Sequence, residues 1–280
     1  MQEQWKTVIL PRGKWYRFPL KELWLYRELI GLTVKRNFKV TYQQTILGPL
    51  WIILMPLITT LIFTVVFGNI ARLPTDGAPQ FLFYMLGNNV WSLFSSAAQR
   101  NSLTLLANRN IFDKVYFPRL IMPISETFSV FLNFCIQFAI FLLFWGYSLF
   151  RGEVSPNYAL FALIPILFLI LLALGMGVGS IISSLTVKYR DLQVMVTFGL
   201  QLWMYVTPVV YPISGTGGLT RALLMINPVT PIVEAFRFIF FGSGVIYTGY
   251  LALSACTALA VLFLGLFLFH RAEKNFIDNL

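Results

Sequence analysis

Ionisable side chains are scarce in this sequence, so each one in an apolar setting is a candidate for function. Glu234 and Arg237 stand three residues apart in an apolar stretch, a spacing that lets carboxylate and guanidinium pair on one helix face. Glu126 follows Ser125 where another apolar run begins, and His270, the one histidine, closes the last. Charged groups at membrane depth mark substrate paths or relays by default; His270 reads as interfacial. No catalytic spacing accompanies them. The sequence holds no GxxxxGK followed by Ser or Thr, no HExxH, no GxSxG and no Cys/His cluster, so neither nucleotide hydrolysis nor metal chemistry is expected of it. Cys135 and Cys256 lie inside apolar stretches and read as small hydrophobes.

Two further groups carry mechanism. Arg109, Ile111, Phe112, Asp113, Lys114, Tyr116 and Phe117 interleave base, acid and aromatic within one short connection. Aromatic anchors with a charged rim suit a groove on a soluble partner; a basic turn that only fixes topology is the competing reading. Trp51, Tyr84, Trp91, Trp145, Phe198, Trp203 and Tyr205 fall within apolar runs. Their rings could stack on sugar faces along a channel, or form interfacial belts.

The elements that position these residues follow from composition. Of 280 residues, 58% are hydrophobic and 11% charged, against about 25% charged in a soluble domain. Mean hydropathy is +0.74 and the net charge +10. A soluble enzyme, a disordered chain and a disulfide scaffold are excluded, and the basic excess becomes a topology signal. Apolar runs predict spans at 46–67, 77–99, 127–150, 154–187, 192 to about 208, and 248–269, against the roughly 20 residues a bilayer requires; the fourth, at 34 residues, is enough for one long helix. Gly175, Gly177 and Gly179 in the fourth allow close helix contact. The apolar pieces 222–233 and 238–246, interrupted by Asn227-Pro228 and Pro231, are too short to cross. We read 211–246 as a re-entrant helical pair. The N-terminal region, the second and fourth connections and the tail hold 17 of the 21 Lys and Arg, which puts both termini in the cytoplasm.

The expected architecture is one all-α transmembrane domain over 1–280: a cytoplasmic region 1–45, a six-span bundle 46–270 and a tail 271–280. The first 39 residues hold nine basic residues and no apolar core of signal-peptide length, so insertion is expected to begin at internal helices. On a helix over 20–38, Leu20, Leu23, Trp24, Ile30, Val34 and Phe38 share one broad face, with Leu25, Leu29 and Leu32 on another. An amphipathic interface helix fits, as does an ordinary anchor before the first span. No span carries a charge at its middle, which disfavours ion-coupled transport. A transporter without an ATP site must draw its energy from another subunit.

Several short motifs then add up: Tyr42 with Leu47-Gly48-Pro49-Leu50-Trp51 and Pro56, Tyr116-Phe117-Pro118 with Pro123, Lys188-Tyr189-Arg190-Asp191, Thr207-Pro208 through Tyr211-Pro212, and Asn227-Pro228 with Glu234 and Arg237. In their order and placement the chain resembles the permease subunit of polysaccharide-exporting ABC transporters, the type 2 exporters of O-antigen, capsule or teichoic acid. The resemblance covers nearly the whole chain. It implies a homodimer in the bacterial inner membrane with two copies of a separate ATPase, which binds the ATP and Mg; this chain holds no cofactor. It makes 108–119 a coupling helix, 20–36 an interface helix, and Tyr211, Pro212, Asn227, Pro228, Glu234 and Arg237 parts of a periplasmic gate. The substrate would be a glycan on undecaprenyl diphosphate. Arg27, Lys35, Arg36 and Lys39 could attract that diphosphate, or anionic lipid instead. A lipid or drug permease of the same type, and a membrane glycosyl- or acyltransferase, are the alternatives. The short first external connection disfavours the former, and the scatter of acidic residues disfavours the latter.

Overall fold

A computed structural model describes residues 20–43, 45–108, 111, 117–189 and 191–278. Among them there is no β-strand. Two N-terminal helices, α1 (Leu20–Leu25) and α2 (Arg27–Tyr42), precede α3 (Trp51–Phe63), which a wider π turn extends over Thr64–Ile70. Then come α4 (Gln80–Ser102), the single turn α5 (Thr104–Ala107), α6 (Ile121–Phe150) and α7 (Ile164–Thr186). The chain closes with α8 (Leu192–Val206), α9 (Gly218–Ile226), α10 (Thr230–Phe241) and α11 (Thr248–Asp278).

Among the described residues, four helical stretches are long and apolar enough to cross a membrane: Gly48–Ile70, Ile121–Phe150, Tyr158–Thr186 and Thr248–Ala272. The pair α9–α10, bent by 98°, would make a fifth if it counts as one span. The runs expected at 77–99 and 192–208 are helices, but neither meets that standard. α8 is too short, at 15 residues. α4 has the length and lacks the apolarity, because Asn89, Ser92, Ser95, Ser96, Gln99, Arg100 and Asn101 lie along it. The physical reason is its position: most of its side chains are buried against α3, α6, α7, α8 and α10. A helix sheathed in protein needs no lipid-facing hydrocarbon.

α7 is packed between α4 and α11, and its glycines make this possible. A Cβ on Gly175 would lie 2.7 Å from Ala97 Cβ and 2.8 Å from the Phe94 carbonyl, and one on Gly179 would strike Asn101. On the opposite face, a Cβ on Gly177 would lie 2.7 Å from the backbone of Val261 and Leu262. The backbones therefore approach at the spacing only glycine permits. An aromatic cluster locks α10 to α6 and α7: Phe168 stacks on Phe236 at 5.2 Å and meets Phe134 edge-on at 4.8 Å. Trp145 Nε1 donates to the Phe240 carbonyl at 2.9 Å. Gly242, at φ 69°, ends α10 in the left-handed conformation that glycine adopts without strain.

The N-terminal amphipath is split rather than continuous. A turn at Tyr26 separates α1 from α2. Leu23, Tyr26, Leu29 and Ile30 pack against Leu105, Phe117, Leu120, Ile121, Met122 and Phe269. Trp24 is 71% exposed, so it leaves the face on which a straight helix places it, and Leu29 joins the packed side.

Candidate functional site

The bent pair and the turn that leads into it form a network of buried polar contacts. Arg237, on α10, is 2% exposed. Its Nη1 donates to Glu234 Oε1 at 2.7 Å and to the Tyr211 carbonyl at 3.2 Å; its Nη2 donates to the Val209 carbonyl at 2.9 Å. The guanidinium carbon sits 3.8 Å from the centre of the Phe83 ring on α4, within cation–π range. A buried charge survives only when paired and hydrogen-bonded, and this one is held by a carboxylate, two carbonyls and a ring face. The guanidinium thereby fixes the path of the Thr207–Tyr211 turn. From the other side, Gly87 on α4 lets the Val209 carbonyl approach where a Cβ would stand 2.6 Å away.

Asn227 ties the corner between α9 and α10 to the same turn. Its Nδ2 donates to Thr207 Oγ1 at 2.8 Å, and its Oδ1 accepts from Trp203 Nε1 and from the Val229 amide, both at 3.2 Å. Asn227 is extended (ψ 117°), the conformation a following proline imposes, and Pro228 supplies that restriction. Pro212 is buried beside the turn, and the Tyr211 hydroxyl donates to the Tyr205 carbonyl at 3.3 Å. Further out, Ser214 donates to Asp76 at 2.6 Å and Arg221 to the Ser214 carbonyl at 3.3 Å. The six gate residues read from the sequence thus meet in one structural unit. Sequence reasoning singled out Thr207 in a motif but not as a hydrogen-bond partner, and missed Phe83, Trp203 as a donor, and the two carbonyls. A backbone acceptor leaves no signature in residue type.

At the other end, Arg100 of α4 lies 3.6 Å from Glu126 of α6, and Asn37 of α2 donates to the same carboxylate at 2.8 Å. Burial raises the Tyr42 phenol above its ordinary range, against the opposing pull of Arg100 and the Asn133 amide, so it stays a neutral donor near pH 7. Arg27, Lys35, Arg36 and Lys39 are all exposed along α2 and form a cationic rim rather than a pocket. Arg27 stacks at 5.2 Å over Trp24, and Arg36 donates to Asn37 at 3.3 Å. Of the connection expected to dock a partner, Arg109, Phe112, Asp113, Lys114 and Tyr116 lie outside the described residues. Ile111 and Phe117 at its margins pack into the cluster around Leu105, anchoring its ends.

The channel aromatics separate into two groups. Tyr84 is 0% exposed and Trp91 is buried against Phe94 and Trp203. Their ring faces are occupied within the chain, which corrects their placement along a channel. The reason is that α4 is sheathed on all sides, which its mixed sequence does not disclose. Trp51 and Trp203 are half-buried, whereas Phe198 at 61% and Tyr205 present exposed rings on α8. Among the described residues, no three His, Cys, Asp or Glu side chains converge as a metal site would need.

A helical bundle with four or five apolar spans among the described residues has the make-up of a multi-pass membrane protein. The chain belongs to the ABC-2 type transporter family, whose model matches residues 28–241. It is similar to the O-antigen export system permease protein RfbA of Klebsiella pneumoniae, at 26% identity over 90% of this chain and 95% of the relative. The protein of that name from Myxococcus xanthus is 26% identical over 93% of this chain and 98% of its own length. The polysialic acid transport protein KpsM of Escherichia coli is 24% identical over 87% and 93%. ABC-2 membership carries with it pairing with an ABC ATPase.

Proposed function

We propose that this chain is the transmembrane subunit of an ATP-driven exporter that moves a lipid-linked polysaccharide, O-antigen-like and carried on undecaprenyl diphosphate, from cytoplasm to periplasm. The observation that carries the reading is similarity to O-antigen export permeases along nine-tenths of the chain. Two copies, each with an ATPase subunit that binds ATP and Mg, would enclose the pore between them. Six spans follow if α4, shielded by its neighbours, and the short, largely exposed α8 both cross; at 1.5 Å per residue α4 reaches about 34 Å, enough for the hydrocarbon layer. α9 and α10 then dip in from the periplasmic face and return. The distribution of Lys and Arg supports cytoplasmic termini in the inner membrane. Exposed Phe198 and Tyr205 on α8, with Trp51 at the start of α3, are the aromatics offered to a passing glycan. The 108–119 connection would seat in the ATPase.

The test is removal of the gene from a host that makes the glycan. Lipid-linked polymer should accumulate on the cytoplasmic side. Loss of glycan synthesis itself would refute export and favour a transferase. A capsular polymer is the second reading, supported by the similarity to KpsM, and the chemistry of the accumulated polymer decides between them.

A further inference from the structure

α6 and α7 meet through the rings of Phe134, Phe138 and Phe168, yet towards the start of α6 they leave a gap. An apolar groove of about 490 Å³ opens there, walled by Thr127, Phe128 and Phe131 of α6 and by Phe168, Leu172 and Met176 of α7. No charged side chain lines it, and Thr127 is the one lining residue with a hydroxyl. The gap cannot close. α7 is keyed to α4 through Gly175 and Gly179 and to α11 through Gly177, so it has no freedom to move onto α6. Nor can the floor rise, since Phe168 is stacked on Phe236 at 5.2 Å and met edge-on by Phe134 and Phe138. A space without partner atoms forfeits dispersion energy along its lining. Between two helices of membrane-crossing length, hydrocarbon is what fills it.

The length of the groove is that of one leaflet. From Pro165 to Met176 its α7 wall runs about 16 Å at 1.5 Å per residue, half of the roughly 30 Å hydrocarbon layer. Its depth is set by Thr127, which follows Glu126, and Glu126 lies 3.6 Å from Arg100. Charged groups of this kind belong at the border between hydrocarbon and head groups, the level at which a glycerophospholipid carries its ester carbonyls. The hydroxyl itself is unspent. Thr33, Thr59, Thr60 and Thr64 each donate theirs to the carbonyl four residues back. Thr127 Oγ1 instead accepts from Asn101 Nδ2 at 2.9 Å, and among the described residues it donates to nothing. A free donor at that depth calls for an acceptor.

We propose that the groove between α6 and α7 holds one tail of a diacyl glycerophospholipid as a fixed part of the fold. Its ester carbonyl accepts from Thr127 Oγ1, and the acyl chain runs past Phe128, Phe131 and Phe168 towards Pro165. In the orientation proposed above, this lipid belongs to the cytoplasmic leaflet. Selection is by ester and tail, because no charged side chain of the groove meets the head group. The lipid is structural: the floor of Phe134, Phe168 and Phe236 gives it no path into the bundle. A polyisoprenyl phosphate has a tail and a phosphate but no ester carbonyl. A second copy of this chain would cover the groove with side chains instead.

The experiment uses the full chain in mild detergent, with bound lipid counted by native mass spectrometry. The probes, added one at a time, are phosphatidylethanolamine, phosphatidylglycerol, ether-linked phosphatidylethanolamine and undecaprenyl phosphate. Each chain should retain one ester lipid, with the two head groups held equally. The ether analogue should be retained about fivefold less, the effect of one neutral hydrogen bond. Thr127→Val should erase that difference, and Thr127→Ser should restore it. Leu169→Trp, which turns an indole into the groove from its exposed rim, should lower retention of the ester lipid about tenfold. Leu143→Trp, exposed on α6 outside the groove, should leave retention unchanged. Should Leu169→Trp fail to fold, Phe128→Ala replaces it and should also lower retention. Equal retention of ester and ether lipids, tighter retention of phosphatidylglycerol, or wild-type retention by the groove variants overturns the proposal. So does displacement of the ester lipid by undecaprenyl phosphate, or loss of a dimer rather than of lipid in Leu169→Trp. None of these outcomes bears on export, which the gene deletion tests.

Discussion

Replacing Arg237 by Met tests whether one buried guanidinium holds the turn between α8 and the bent pair. The substitution keeps the volume and removes the charge. It leaves the buried Glu234 carboxyl without its partner, and the Val209 and Tyr211 carbonyls without their donors. Breaking a buried pair from one side costs about 3–5 kcal/mol, and each orphaned carbonyl adds about 1–3, although these do not sum because the turn can relax into water. We take about 3 kcal/mol as the local loss, equivalent to a factor of roughly 150 in the population of an opened turn. Val210, buried beside the two carbonyls, is the reporter. A Val210→Cys variant should react slowly with an external maleimide, and adding Arg237→Met should speed labelling about a hundredfold. Arg237→Lys should fall between, because an ammonium cannot span a carboxylate and two carbonyls as the fork does. Combining Glu234→Gln with Arg237→Met should recover part of the loss by removing the stranded carboxyl. Unchanged labelling in Arg237→Met, or a double variant no slower than the single one, would refute the reasoning.

Other expectations follow from the same geometry. Gly179→Val should destabilise the α4–α7 contact severely, since Asn101 and the Ala98 carbonyl occupy the space. Gly146→Ala meets nothing within 4 Å and should stabilise α6 by up to about 1 kcal/mol; thermal melting in detergent checks both. Asn227→Leu should free Trp203 and Thr207, which a red shift of tryptophan emission and faster labelling at Val210→Cys would report. Phe112→Ala with Tyr116→Ala should abolish co-purification with the ATPase, whereas Glu153→Gln on the opposite connection should not. Retention of the complex in the double variant would remove 108–119 from the coupling role.

The charge-free runs located the long helices because hydrocarbon excludes charge whatever the tertiary packing. The helix starts were less legible. α6 begins at Ile121, six residues ahead of the expected 127, because Glu126 is tolerated where Arg100 and Asn37 meet it. The Glu234–Arg237 pairing was readable from spacing alone, since it is local to one helix. Its partners were not, because Val209, Tyr211 and Phe83 reach it only through tertiary folding. Tyr84 and Trp91 were misplaced for a related reason. A helix surrounded by protein and one lining a water-filled passage carry the same mixture of polar and aromatic residues. The displaced Trp24 reflects a turn at Tyr26 that no proline or glycine announces.

The glycines of α7 have a mechanical consequence. With Gly175 and Gly179 against α4 and Gly177 against α11, three backbones interlock on both sides of one rod. Sliding any of them by a single residue would drive a side chain into a neighbouring main chain. α4, α7 and α11 therefore behave as a stiff keel. Any relative motion within the bundle must be taken up by the parts joined to it, above all the short α8 and the corner at Asn227-Pro228.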